Sequence, residues 1–258
     1  MGRGTSGLSN SVSHPAADGL LEARLTLLGD FDLTIEGKSV LLPANTQRPV
    51  AFLAMHDHGS LRAHVAGVLW PDVTERRAAG SLRSALWKLN LEGYDVIEAT
   101  ATHLQLSPSI TVDLRERTDL AHRILERPTE ITGPVNEVSL SSDLLPDWDE
   151  DWLVADRDSF HQLRAGALER LCECLTGVGA LGRAARAGLA AVAAEPFRES
   201  AHRAFIKSLL AGGNKGLAVQ HYRAFRRLLR DELELDPSPE MQDLVQRSSA
   251  VDRPLTFR

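Results

Sequence analysis

The sequence predicts an α+β first half followed by an all-α second half, and three observations carry that division. Between Leu20 and Leu114, short alternating runs of the strand type interleave with helix-type runs. From Asp151 onward only helical patterns occur, with breaks at Gly179, Pro196, Gly212-Gly213 and Pro237. Charge is divided in the same way. Residues 44–93 hold six Lys/Arg against four Asp/Glu, whereas residues 94–141 hold four against eight and residues 142–248 fourteen against seventeen. A basic segment inside a chain of net charge −6 suits a polyanion-binding module joined to a domain with a protein partner.

The first ordered run, ARLTLLGDFDLTIEGKSVLLP, is interrupted by turn formers at Gly29-Asp30 and Glu36-Gly37-Lys38. It reads as three antiparallel strands over 23–28, 31–35 and 39–42. Residues 1–20 are small and polar without the apolar core of a signal peptide, and are expected to be disordered. Thr46 to Asp57 has helical periodicity through Val50, Phe52, Leu53 and Met55, and Gly59 ends it. A second short helix, Leu61 to Leu69, is stopped by Pro71.

The third helix, within TERRAAGSLRSALWKLNLEG from Thr74 to Gly93, is the most informative. Ala78, Ala79, Leu82, Ala85, Leu86 and Leu89 fall at the spacing of a buried stripe. Arg77, Ser81, Ser84 and Lys88 form a row on the other side, and Arg76, Arg83 and Trp87 lie beside it. Thr74 can cap its start and Gly93 stands past its end. After Gly93 the segment YDVIEATATHLQLSPSITVDL offers two or three strands at 95–99, 103–106 and 110–113, with a turn around Thr100–Thr102. Sheet, three helices and hairpin in that order describe a winged helix-turn-helix with an extra N-terminal antiparallel sheet. The third helix is its reader and the hairpin its wing.

A helix over 114–126 leads into the second half, set from residue 115, and a Pro/Gly-containing boundary loop follows over 126–142. Helices follow at 151–178, 181–194, 197–211, 215–232 and 238–248, leaving a flexible tail over 249–258. Gly179 and Gly213 lie 34 residues apart, and the same offset aligns Ala184 with Ala218, Gly188 with Tyr222 and Ala191 with Phe225. This is the tetratricopeptide period, so the all-α half, 115–248, reads as TPR-like.

Arginine forks onto guanine O6 and N7, each good pair being worth roughly 1–3 kcal/mol of discrimination, and small hydroxyls keep the approach close. Arg77, Ser81, Ser84 and Lys88 are therefore the groove-facing candidates, flanked by Arg76 and Arg83. Trp87 reads either as a sugar-phosphate contact or as a partly buried core residue. Thr46, Gln47 and Arg48 open the first helix as a phosphate clamp. Thr100, Thr102 and His103 at the wing tip are candidates for backbone or minor-groove contact. The tip lacks the Arg or Lys that many winged helices place there.

Together LTLLGDFDLTIEGKSV, LRAHVAGVLWPD, RAAGSLRSALWKL, ITVDL, LLPDWDEDW and the run from EPFRESAHRAF to MQDLV resemble the small SARP-type transcriptional activators. Residues 21–114 look like an OmpR-type winged-helix domain, and residues 115–248 like the bacterial transcriptional activation domain. The resemblance implies cooperative binding to direct repeats in promoter DNA, self-association there, recruitment of RNA polymerase holoenzyme and control of an antibiotic or other secondary-metabolite gene cluster. A repressor or anti-activator of the same architecture, or a TPR-type scaffold without DNA binding, are the rival readings.

Other chemistries find little support. Larger relatives carry nucleotide-binding domains, but this sequence has no G-x-x-x-x-G-K-[ST] loop, nor G-x-S-x-G or H-E-x-x-H, so neither enzymatic activity nor a cofactor is expected. Cys172 and Cys174 sit two apart in a helical pattern and cannot bridge. His56, His58 and His64 straddle a helix end without further ligands at zinc spacing. In DWDEDW (147–152) the tryptophans are expected to pack inward and Asp147, Asp149 and Glu150 to favour a helix start, although an acidic activation patch is the alternative. No apolar run reaches membrane-spanning length. The protein is expected in the cytoplasm, at the nucleoid when bound to DNA.

Overall fold

A computed structural model describes residues 23–56, 58–91, 94–127, 140 and 142–250. The expected disordered segment 1–20, most of the boundary loop and the tail beyond 250 lie outside them.

The chain opens with β1 (Ala23–Thr26), β2 (Asp32–Ile35) and β3 (Lys38–Ser39), turned through Gly29 and Gly37 at positive φ. These pair antiparallel in sequence order. Helices α1 (Ala44–Met55), α2 (Arg62–Leu69) and α3 (Glu75–Lys88) follow. The two-residue strand β4 (Ser60–Leu61) precedes α2, and a short antiparallel pair, β5 (Asn90–Leu91) with β6 (Tyr94–Asp95), comes after α3. The hairpin is β7 (Ile97–Ala99) with β8 (His103–Leu106), and β4 joins its other edge, giving the order β4-β8-β7.

The strand expected third in the hairpin region goes elsewhere. β9 (Ile110–Val112) lies parallel to β1 and closes the first sheet in the order β3-β2-β1-β9. Its alternation explains the placement, because Ile110 and Val112 are buried and need a core face. Asp113 then pins the register: its carboxylate accepts the N–H groups of Leu27 at 2.8 Å and Leu28 at 3.1 Å, across from the strand end.

Helix α4 (Asp113–Glu126) leads out of this unit, with Leu114 in the first core and Ala121 and Ile124 in the second. A 3₁₀ turn (Asp151–Leu153) precedes α5 (Val154–Gly177), α6 (Leu181–Ala194), α7 (Glu199–Ala211), α8 (Lys215–Leu233) and α9 (Pro239–Ala250). Each packs on the next, and α5 also touches α7. The 34-residue offset is a structural repeat. Gly179 and Gly213 turn at φ 76° and 73°, Ala184 and Ala218 are fully buried, and Ala191 and Phe225 fill matching interior positions. The TPR-like reading holds, with Gly188 as the exception: it aligns with half-buried Tyr222 but sits where α6 packs tightly on Cys172 of α5 and Phe205 of α7.

The two halves are not separated by a simple break at residue 114. Residues 142–148 run back along β1 as a strap: Gly29 N–H donates to the Asp143 carbonyl at 2.8 Å, and Leu145 N–H to that of Leu27 at 2.9 Å. Leu144, Leu145, Leu153 and Phe160 are part of the first hydrophobic core. Arg157 holds the strap from α5 through the carbonyls of Leu144, Leu145 and Trp148, and buried Arg164 holds it through the Ser142 carbonyl and the Asp143 carboxylate. No helix among the described residues is long and apolar enough to cross a membrane.

Candidate nucleic-acid interface

Helix α3 forms because its apolar positions recur at helical spacing. Ala78, Leu82 and Ala85 are buried, as is Leu89 just beyond the end, while Ala79 and Leu86 are half-buried. Thr74 begins the helix through its backbone, its carbonyl accepting from Arg77 and Ala78; its side chain makes no cap bond. Glu75 in the first turn and Lys88 in the last complement the helix dipole. The helix ends at Lys88, earlier than a stop at Gly93 implied, because the chain turns there into the β5–β6 pair.

On the outer side Arg76, Arg77, Arg83, Ser84, Trp87 and Lys88 are all exposed, with Ser81 half-buried beside them. None of Arg76, Arg77, Arg83 and Lys88 forms an ion pair with another described residue. Four cations without an ion-pair partner among the described residues crowd one short helix whose single acidic residue is Glu75, a pattern suited to phosphates and guanine edges. Trp87 is 79% exposed, so of its two readings the core role falls away.

At the wing, Thr100 Oγ1 accepts from the backbone N–H of His103 at 2.9 Å and of Thr102 at 3.4 Å, while Thr100 N–H donates to the His103 carbonyl. This tight turn leaves Thr102 and His103 exposed, their side chains paired at 2.9 Å. A cation is present here after all, brought by Arg62 from the start of α2. Its backbone N–H donates to the Thr102 carbonyl at 2.9 Å and its guanidinium to the Thr100 carbonyl at 3.2 Å. Sequence inspection missed Arg62 because it lies 38 residues from the tip; the motif LRAH placed it only at a helix start.

The proposed clamp at the start of α1 is corrected. Thr46 is fully buried, and the Gln47 amide donates to the Leu42 carbonyl at 2.8 Å. Arg48 faces the helical half: it donates to the Leu69 carbonyl at 2.6 Å and to Glu150 at 2.7 Å, with Trp70 under its guanidinium. A guanidinium held this way has its charge balanced inside the protein and is not offered to a phosphate.

Glu150 belongs to DWDEDW, and its carboxylate also accepts from Trp152 Nε1 at 2.8 Å. The tryptophans do pack inward, Trp148 stacked on Phe31 and Trp152 edge-on to Phe52. Asp147, Asp149 and Asp151 remain exposed. His56 stacks on Phe52 and bonds its carbonyl at 2.7 Å, which is a packing role. Among the described residues no group of three His, Cys, Asp or Glu is placed to hold a metal ion. Cys172 is buried in the helical core, where burial pushes its thiol up to about 11.

Residues 140–247 match the family model of the bacterial transcriptional activator domain. A solved structure of Mycobacterium tuberculosis EmbR, in complex with a low-affinity phosphopeptide, matches at a TM-score of 0.69 and 21% identity. The match covers 90% of this chain and 66% of that one, so this chain spans just under two thirds of its length, and the likeness is one of fold. A comparison with curated proteins gave no match.

Proposed function

We propose that this chain, a transcriptional regulator built on the SARP plan, is an activator that reads promoter DNA through α3 and acts on RNA polymerase through its helical half. The observation that carries this reading is the outer face of α3, with four cations that have no ion-pair partner among the described residues and an exposed tryptophan on a buried apolar seam. In this account α3 enters the major groove, where Arg77, Ser84 and Lys88 meet base edges. Arg76, Arg83 and Trp87 meet the sugar-phosphate walls, and Ser81 sits close enough to the core to set the depth of approach. Thr102 and His103 touch the backbone beside the groove.

Copies bind direct repeats about one helical turn apart, so that they lie on one face of the duplex and associate with one another. The helical half meets RNA polymerase holoenzyme, and the controlled genes form a secondary-metabolite cluster of the antibiotic type. The strap and the Arg48–Glu150 pair support this division of labour, since they set the orientation of α5 against the DNA-reading unit.

Run-off transcription with purified polymerase, on promoters footprinted by the protein, tests the reading. An activator raises transcript from its own promoter. Footprinting without any rise, or with a fall, sinks activation in favour of repression.

A further inference from the structure

We infer that Arg62 is the wing's cation: it sets the turn Thr100–His103 and presents its remaining donors to a DNA phosphate beside the groove that α3 occupies. The inference rests on the DNA-binding reading above and adds to it a residue on a different helix.

The geometry is specific. β4 and β8 pair antiparallel with Leu61 opposite His103, so the chain enters α2 directly alongside the wing tip. Arg62 then makes two contacts with the same turn, N–H to the Thr102 carbonyl at 2.9 Å and Nη1 to the Thr100 carbonyl at 3.2 Å. A guanidinium has five N–H donors in a planar fork, and only one is spent on Thr100. Arg62 has no carboxylate partner among the described residues.

The tip residues can do half of this work. Thr102 and His103 are exposed, and their hydroxyl and imidazole can accept or donate hydrogen bonds, but neither supplies a permanent positive charge. Backbone recognition of DNA depends chiefly on such charge, through release of condensed counterions. Arg62 supplies it from the adjacent element. It also ties the tip to α2, so the wing and the helix that supports α3 approach the duplex as one piece.

The test uses the full chain, a 30-base-pair random-sequence duplex, and a duplex enriched by the wild-type protein from a random pool. Arg62→Ala is expected to reduce the slope of log affinity against log salt by about one on both duplexes. Hydroxyl-radical protection should be lost only on the flank of the enriched site next to the wing. Arg62→Lys should keep the slope. Arg62→Gln, which removes the charge while retaining donors for Thr100, covers the case in which the alanine variant does not fold, and should lose the slope equally. Unchanged slope and protection in the uncharged variants, with binding abolished by Arg77→Ala/Lys88→Ala, would overturn the role of Arg62 and leave the DNA-binding reading intact. Failure of the wild-type chain to bind either duplex would remove both.

Discussion

Arg48 Nη2 and Glu150 Oε2 meet at 2.7 Å across 102 residues of sequence, joining the first helix of the N-terminal α+β unit to the segment that starts the helical half. Both side chains are about four-fifths buried, and Glu150 is shared with the indole N–H of Trp152. Removing one partner leaves the other poorly solvated, which costs more than an exposed pair contributes. Glu150→Ala is expected to lower unfolding free energy by about 1–3 kcal/mol in urea, and Arg48→Ala/Glu150→Ala by less than the sum of the single changes. In DNA binding, Arg48→Ala should leave the salt slope unchanged. A slope that drops by about one would restore Arg48 as a phosphate contact.

Arg77 and Trp87 should separate base reading from backbone contact on α3. Arg77→Ala is expected to cost about 1–3 kcal/mol on an enriched site and to relax preference at one of its base pairs. Trp87→Ala should weaken enriched and random duplexes alike, because stacking on sugar carries no sequence information. Binding titrations on both duplexes decide the matter. Equal losses on the two for Arg77→Ala would reduce that residue to a phosphate contact.

Much of this arrangement was legible in local periodicity. The stripe of α3, the hairpin with its turn at Thr100–Thr102 and the bounds of α6 follow from patterns that span one element. Periodicity reports which face is buried and says nothing of which surface buries it. Hence β9 could be recognised as a strand but not assigned to β1, and Arg48 could be seen as a helix-start cation but not as the partner of Glu150. β4 is two residues long and too short to alternate. Arg62 owes its place at the wing to that strand's pairing, so it was hidden for the same reason.

His202 and His221 give the helical half a pH dependence of known sign. Burial drives the His202 imidazole down to about 4, and burial lowers His221 as well. His202 is packed face to face on Phe225 with ring centroids 3.8 Å apart, bonded to the Pro196 carbonyl at 2.9 Å and to His221 at 2.9 Å. The native state therefore holds neutral histidine, while the unfolded chain takes up a proton near pH 6.5. Stability is complete above about 6.5 and falls as pH drops toward 4, by up to about 1.4 kcal/mol per pH unit for His202, with His221 acting in the same sense. The stability held by the lowered carboxyls of Asp143 and Glu199 is lost only as pH falls through the carboxylate range and below, while the carboxyl of Asp156, raised by burial, acts in the opposite sense to the histidines. Urea midpoints at pH 7, 6 and 5 should show this decline in the wild-type chain and a shallower one in His202→Phe. Parallel declines would show that His202 is not the group responsible.

Gly188 and Gly166 lie inside helices α6 and α5, and the same substitution should act on them with opposite sign. Replacing a mid-helix glycine by alanine gains up to about 1 kcal/mol of helix propensity. At Gly166 the added Cβ meets only Arg198 Nη2 and Leu125 Cδ2, both at 3.8 Å, an ordinary contact distance, so Gly166→Ala should stabilise. At Gly188 the same atom would stand 2.9 Å from Cys172 Sγ and 3.0 Å from Phe205 Cα and Cβ. That overlap forces α6 away from α5 and α7, at a cost of about 1–3 kcal/mol that outweighs the propensity gain. Cys172→Ala would remove the sulfur but not the Phe205 backbone, so Gly188→Ala/Cys172→Ala should recover only part of the loss. Thermal melts of the four proteins measure this. A Gly188→Ala variant as stable as wild type would mean that the helices can separate at little cost, and that the close approach at Gly188 is not what sets their spacing.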